Sequence, residues 1–254
     1  MDDYILNERD GSLLVLTFNR PDKKNAITQD MYTALSDGLV EAAEDASVRA
    51  VVILANGDAF TSGNDLKDFA AGLRHAEKTP VFRFLKTISH FEKPIMVGVN
   101  GLAVGIGTTL LLHSDLVYAS PEATFSTPFA NLALVPEAAS SLLLPRLIGM
   151  AKATEMLMMG QVLDAEEAER AGLVARILPG NNFREQVLER ARELAGKAPT
   201  ALMETKRLLR KNNQEIQDRM DEEGLLFAER LKTPEFMEVA TAFFEKRPPD
   251  FSKF

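Results

Sequence analysis

The chain has no cysteine and only three histidines. Disulfides, thiolate metal centres and a cysteine nucleophile are thereby excluded, a usage that fits a reducing compartment. His75, His90 and His113 show no spacing of metal ligands, so no metal is expected. No apolar run reaches the length of a membrane span. The start, Met1-Asp2-Asp3-Tyr4, lacks a signal-peptide pattern, and the closing Phe251-Ser252-Lys253-Phe254 does not match the Ser-Lys-Leu peroxisomal address. A cytoplasmic location, with no membrane contact, is the expectation. Basic charge is in deficit, 29 Lys and Arg against 37 Asp and Glu for a net charge of -8, which argues against nucleic acid as a partner. An anionic ligand is still open, because local charge can oppose the net value. Neither a G-x-S-x-G elbow nor an H-E-x-x-H zinc motif occurs. Internal repeats and low-complexity segments are also missing.

What is present is ordinary for a globular enzyme: 254 residues, 46% of them hydrophobic, enough to bury a large core. Residues 4–8 and 12–19 read as two strands around the turn signal Asp10-Gly11. Thr28 reads as an N-cap, with Met31, Ala34, Leu35, Leu39, Ala42 and Ala43 along one helix face. Ala50 to Ala55 and Ile95 to Val99 are continuous apolar runs, expected as buried parallel strands. Residues 66–91 are helical in composition, broken near Thr79-Pro80. A helix is predicted from about Gly105 to His113, apolar nearly all round and so internal. Leu116 to Ala119 reads as a short strand, and helical patterns resume over Ser140–Ile148 and Lys152–Met159. Asp164-Ala165-Glu166-Glu167 reads as a capping box on a helix that ends at Gly172. Val174 to Ile177 reads as a strand. From Phe183 on everything reads as helix, punctuated by Pro199, Gly224 and Pro234. The composition shift near residue 195 suggests a mixed α/β core over 1–195 and a helical region over 196–254.

Three features could carry chemistry. The segment Asn100-Gly101-Leu102-Ala103-Val104-Gly105-Ile106-Gly107 is an extended run entering a glycine-rich turn. Gly105 and Gly107 allow close approach to the backbone, and a helix start leaves N–H groups free for an anion or an oxyanion. It also reads as plain tight strand–helix packing. A dinucleotide fingerprint fails, because its third glycine would fall at Leu110. Ser62-Gly63-Asn64-Asp65 is a second strand-to-helix loop, able to present N–H groups or to be an ordinary turn. Two such loops matter, since an oxyanion hole needs donors converging on one oxygen. Glu137 stands in a segment with almost no other charge. It reads as an acid or base with a raised pKa, or as a helix-end carboxylate before Ala138-Ala139-Ser140. His113 reads as a satisfied core histidine. Lys206, Arg207, Arg210 and Lys211 read as a solvated helix face.

These residues, taken with others in the same order along nearly the whole chain, carry a family resemblance. Leu16-Thr17-Phe18-Asn19-Arg20-Pro21 with Asn25-Ala26, Phe60-Thr61-Ser62-Gly63-Asn64-Asp65-Leu66, Lys93-Pro94 with Val99-Asn100-Gly101, Ser114-Asp115, Ala123-Thr124-Phe125 and Ala165-x-x-Ala168-x-x-x-Gly172-Leu173-Val174 resemble the crotonase superfamily, the enoyl-CoA hydratase/isomerase group. The resemblance implies an α/β, ClpP/crotonase-like fold of repeated ββα units, with a C-terminal helical region that makes trimers or hexamers. It implies an acyl-CoA thioester substrate and an enolate held by two backbone N–H groups, which fall on Asn64 and Ile106, beside Gly105. Lys24, Asn25 and Ala26 would hold the nucleotide end of CoA, and Ser62, Gly63, Asn64, Asp65 and Leu66 would line the pantetheine and thioester. Lys246 would reach a CoA phosphate. The two glutamates that serve hydratases of this family would fall at Thr109 and Phe129, so hydration is not expected. Thr127-Pro128-Phe129 and Pro136-Glu137-x-x-Ser140-Ser141 resemble the peroxisomal-type Δ3–Δ2-enoyl-CoA isomerases. This implies Glu137 as a single catalytic base in fatty-acid breakdown, in a site kept dry by Phe129, Leu134 and Val135. No metal or redox cofactor is implied, and CoA enters as part of the substrate. The alternatives are another crotonase reaction on a CoA thioester, such as hydration or hydrolysis, and a catalytically silent acyl-CoA binding protein.

Overall fold

The computed structural model describes residues 4–65, 79–210 and 213–254. Strands β1 (Ile5–Asp10) and β2 (Leu13–Phe18) pair antiparallel around the two-residue turn Gly11-Ser12, with Asp10 opposite Leu13. Gly11 takes φ 57°, the left-handed geometry such a tight turn requires. From β2 the sheet continues in parallel through β3 (Ala50–Ala55), β5 (Ile95–Val99), β7 (Leu116–Ala119) and β10 (Arg176–Ile177). The continuous apolar runs of β2 and β3 have a direct cause: both faces of this sheet are covered. Leu14, Leu16, Val51 and Ile53 point into the main core with α1 (Gln29–Glu44). Leu13, Val15, Val52 and Leu54 point into a second cluster with Val187, Leu188 and Ala191 of α7 (Phe183–Ala195).

A second sheet runs β4 (Ala59–Thr61), β6 (Leu102–Val104), β8 (Thr124–Ser126) and β9 (Leu163–Asp164). Its first three strands are parallel. Each follows a strand of the first sheet after a short turn: β3 leads to β4, β5 to β6, and β7 to β8. Helices follow these pairs: α2 (Pro80–His90), α3 (Ile106–Thr109) and, after a 3-10 turn at Ala130–Leu132, α4 (Ser140–Ile148). The expected repeated ββα architecture is therefore present. Further on lie α5 (Met150–Met159), α6 (Ala165–Ala171), α8 (Pro199–Leu209), α9 (Asn213–Arg230) and α10 (Pro234–Glu245). No described helix is long and apolar enough to cross a membrane.

Local signals hold at several places. The Thr28 side chain caps α1 by accepting from the Met31 N–H, and the Asp164–Glu167 capping box is complete. Gly172 ends α6 with φ 88°. Four expectations need correction. Ala34 and Ala43 are exposed, because the buried stripe of α1 is shifted toward Tyr32, Ser36 and Gly38. Gly224 does not interrupt α9. The predicted helix 105–113 is one α turn followed by a 3-10 turn at Leu110–His113. The strand expected over 174–177 shrinks to Arg176–Ile177, which pairs with Tyr118 and Ala119. The helical reading of 66–78 and the basic residue Lys211 lie outside the described residues.

Candidate active site

Two loops leave the same edge of the second sheet. β4 ends at Thr61 and continues as Ser62-Gly63-Asn64; β6 ends at Val104 and continues as Gly105-Ile106-Gly107. Because β4 and β6 are parallel neighbours, their following loops emerge side by side, as at the carboxyl edge of any parallel sheet. Two glycines record how closely they pack. A Cβ on Gly107 would stand 2.6 Å from Thr61 Cγ2, and one on Gly63 would stand 3.0 Å from the Val104 carbonyl oxygen. Gly105 has φ 57° and ψ -117°, a combination reserved for glycine. The N–H groups of Asn64 and Ile106 have no acceptor among the described residues, whereas Gly63 N–H is held by Thr61 Oγ1 at 3.1 Å. With α3 only one turn long, any anion affinity here comes from individual N–H groups, not from an extended helix dipole.

The Lys24–Ala26 loop is built around Asn25. Its side chain is fully buried. It accepts from Arg20 N–H at 2.8 Å and donates to the carbonyls of Asn56 (2.9 Å) and Ala59 (2.8 Å). The Asn25 side chain therefore shapes the loop expected to hold the nucleotide end of CoA, its amide bound to the backbone on both sides. Arg20 Nη1 donates to the Ala26 carbonyl at 3.0 Å and to Asp65 Oδ2 at 2.8 Å, so Asp65 ties the two loops together. Ser62 N–H donates to the Lys24 carbonyl at 2.9 Å. Lys24 itself is exposed and bonds Asp58 Oδ2 at 2.5 Å. Leu66 lies outside the described residues.

Glu137 precedes α4 on an unusual turn. Ala138 and Ala139 both have left-handed backbones, φ 60° and 55°, each costing on the order of 1 kcal/mol for a residue with a Cβ. Neutral His113 pins the turn. Its Nε2–H donates to the Ala138 carbonyl at 2.8 Å, and burial holds its pKa down to about 4. The core reading of His113 is thus right, with a tether to the Glu137 loop that the sequence did not suggest. Glu137 Oε1 accepts a short hydrogen bond from the Thr109 hydroxyl. Its pKa is pushed up to about 8, first by burial and further by the nearby Glu223; the Thr109 bond opposes this.

Asn64 and Glu137 open onto one cavity of about 90 Å³. Its other walls are Gln29, Thr79, Val81, Phe82, Leu85, Ala138, Met220, Gly224, Phe227, Ala228 and Leu231. Glu137 is the only carboxylate among these described lining residues. Tyr32, fully buried under the cavity, donates to Asn64 Oδ1 at 2.5 Å. Burial and then the Glu137 charge raise its pKa well above the usual phenol value.

Other expected site residues lie elsewhere. Phe129 is buried beside the β8 loop and does not line this cavity. Leu134 and Val135 line a separate groove with Pro145 and Met150. The apolar walls of the Glu137 cavity come from α2 and α9. Lys246 is the exposed C-cap of α10, also away from the cavity lining. Lys206, read as solvated, is buried between Asp115 Oδ2 and the Lys93 carbonyl, each at 2.8 Å. Among the described residues no group of three or more His, Asp or Glu is placed to hold a metal.

A family model described as enoyl-CoA hydratase/isomerase matches residues 8–253. Enoyl-CoA delta isomerase 2 of Rattus norvegicus is 41% identical over 225 residues, 86% of this chain. This chain spans only 57% of that relative's length. Enoyl-CoA delta isomerase 3, peroxisomal, of Mus musculus is 36% identical over 96% of this chain and 79% of its own. A crystal structure described as enoyl-CoA hydratase/isomerase from Pseudoalteromonas atlantica T6c superposes with a TM-score of 0.93 at 46% identity, over 98% of this chain and 100% of its own.

Proposed function

Taking as premise that the chain belongs to the enoyl-CoA hydratase/isomerase family, we propose that it is a Δ3–Δ2-enoyl-CoA isomerase of fatty-acid breakdown. The observation that carries this reading is the cavity shared by Asn64 and Glu137, in which Glu137 is the lone carboxylate among the described lining residues. In a 3-enoyl thioester, charge leaving the α carbon collects on the thioester oxygen. The N–H groups of Asn64 and Ile106 receive it, each such donor being worth roughly 3 kcal/mol. Glu137 removes the α proton to give a dienolate. The resulting carboxylic acid returns a proton to the γ carbon, which brings the double bond into conjugation.

A base with a pKa near 8 sits close to a neutral working pH, where one group can both take and return a proton. Thr109 and Phe129 stand where a hydratase would need acids. The apolar walls from α2 and α9 disfavour water as a reactant. The reaction needs no metal or redox cofactor. The CoA nucleotide would follow the Lys24–Ala26 loop, whose shape Asn25 fixes, and Lys246 is kept as a candidate phosphate contact. The protein would act as a cytoplasmic homotrimer or hexamer. Glu137→Gln tests the assignment: acyl-CoA binding by titration should persist while conversion of a 3-enoyl-CoA, followed by product chromatography, disappears. Full turnover in that variant would sink the reading, and formation of a 3-hydroxyacyl-CoA by the wild type would point to hydration instead.

A further inference from the structure

The turn that presents Glu137 is held from the far side by α9. Glu223 is 4% exposed, and its Oε1 accepts the Ser141 N–H at 2.9 Å. Arg219, one turn earlier, donates to Ser141 Oγ at 3.0 Å. The other Glu223 oxygen is buried without a hydrogen-bond partner. Met220 and Gly224, on the same helix, line the Glu137 cavity. Two successive left-handed alanines persist only where their surroundings over-determine them. His113 fixes the Ala138 carbonyl from one side, and Glu223 fixes the start of α4 from the other.

We propose that Glu223 is a positioning residue for Glu137: it locks the Ala138–Ala139 turn through Ser141 and places a second carboxylate behind the proton-transferring one. A residue that merely capped α4 would need the hydrogen bond but not the charge. A buried carboxylate with an unpartnered oxygen is costly for capping alone, and an asparagine, serine or glutamine would cap without that cost. The charge has a specific consequence. Burial raises the pKa of Glu223 itself, against the lowering by Ser141, Ala139 and Arg219; where Glu223 is ionised, its charge disfavours ionisation of Glu137 and keeps its conjugate base strong. The charged or titratable groups facing Glu137 among the described residues are Tyr32 from α1, Glu223 from α9, which Arg219 faces in turn, and neutral His113 behind Ala138; α3 presents the Thr109 hydroxyl, and α2 presents apolar side chains.

This inference rests on Glu137 being the proton-transferring group, and the test separates the two. Rates on a 3-enoyl-CoA are measured against pH for the wild type, Glu223→Gln, Glu223→Ala and Glu137→Gln. Glu223→Gln keeps an acceptor for Ser141 and removes the charge, so the acid limb of kcat should move to lower pH by about half a unit to one unit. Glu223→Ala loses both, and kcat should fall about tenfold or more while KM changes less than about threefold, the pattern of lost alignment rather than lost binding. An acid limb in Glu223→Gln that coincides with the wild type overturns the proposal, and that variant decides the matter if Glu223→Ala does not fold. Full activity in Glu137→Gln would instead overturn the reading on which the proposal rests.

Discussion

Replacing Thr109 by valine tests the proton-transfer reading with little change of shape. Thr109 is fully buried, and valine fills nearly the same volume while removing the hydroxyl that donates to Glu137 Oε1. That bond favours the ionised carboxylate and is one of the forces opposing a pKa of about 8. A hydrogen bond to a charged group is worth about 1.5–3 kcal/mol. At about 1.4 kcal/mol per pKa unit, its loss should raise the Glu137 pKa by roughly one to two units. Proton abstraction needs the ionised form. The acid limb of kcat/KM should therefore move to higher pH by the same amount, with activity on a 3-enoyl-CoA near pH 7 falling about 10- to 100-fold. Well above the new pKa the variant should regain most of its rate. The assay is a pH series of initial rates, with thermal unfolding as a control for the fold. An acid limb that stays in place refutes the claim that Thr109 and Glu137 act as one unit. A uniform loss at every pH would show that the hydroxyl serves geometry and not ionisation.

Other outcomes follow from the same interactions. Glu137 has a folded-state pKa of about 8 against an unfolded value of 4.5, so the fold loses stability as pH rises from the lower value toward the higher one. Glu137→Gln should accordingly stabilise the protein by about 3 kcal/mol at pH 7, and by much less at pH 4, as read by urea unfolding at the two pH values. Asn25→Ala removes the side-chain partner of three backbone groups, the buried Ala59 carbonyl and the part-buried Arg20 N–H and Asn56 carbonyl, and should cost about 3 kcal/mol in the same measurement. A Cβ at Gly224 would stand 3.0 Å from Phe82 Cε2. That neighbour must yield by a few tenths of an ångström, which offsets the helix propensity alanine gains, about 1 kcal/mol, so Gly224→Ala should leave the midpoint of unfolding nearly unchanged. Gly224→Val should narrow the cavity and raise KM for longer acyl chains more than for short ones.

Much of this was legible because it is local. The β1–β2 turn is written in Asp10-Gly11, the caps in Thr28 and in Asp164 with Glu167, and the two-sided burial of β2 and β3 in their unbroken apolar runs. The converging loops were legible as a pair of glycine-rich strand ends. What escaped depends on contacts distant in sequence. Gly224 reads as a helix breaker, yet α9 continues through it, and its missing side chain leaves room for the Phe82 ring, which stands 3.0 Å from where a Cβ would lie. Phe129 and Leu134 are apolar near Glu137 in sequence, but they flank the left-handed Ala133, φ 55°, and neither lines the Glu137 cavity. Lys206 resembles its solvated neighbours until Asp115 and the Lys93 carbonyl are seen around it. Glu223 sits in Asp221-Glu222-Glu223, which looks like a solvated acidic face. One signal was available: Ile216, Met220, Glu223 and Phe227 recur at spacings of four, three and four, so a single glutamate occupies the buried stripe of α9.

The departures at Thr109 and Phe129 also bear on why one carboxylate would suit this site. The resemblance puts the two acids of a hydratase at 109 and 129, and in this chain a glutamate at 109 would stand against Glu137, where the threonine hydroxyl now donates. Two carboxylates in that contact cannot both ionise readily, so one would be held protonated as an acid while the other served as base. Threonine removes that division of labour. It leaves a single group whose two protonation states differ little in free energy near neutral pH, as expected of one pushed up to about 8. A double-bond shift needs that near-degeneracy: the group that takes a proton from one carbon must give it back at another, and a strong bias toward either state would slow one of the two transfers. Burial supplies most of the upward push and Thr109 tempers it. On this view the position of the double bond is set by which carbon faces Glu137 when the thioester oxygen reaches Asn64 and Ile106. The short left-handed turn at Ala138 and Ala139 then becomes the element that fixes regiochemistry.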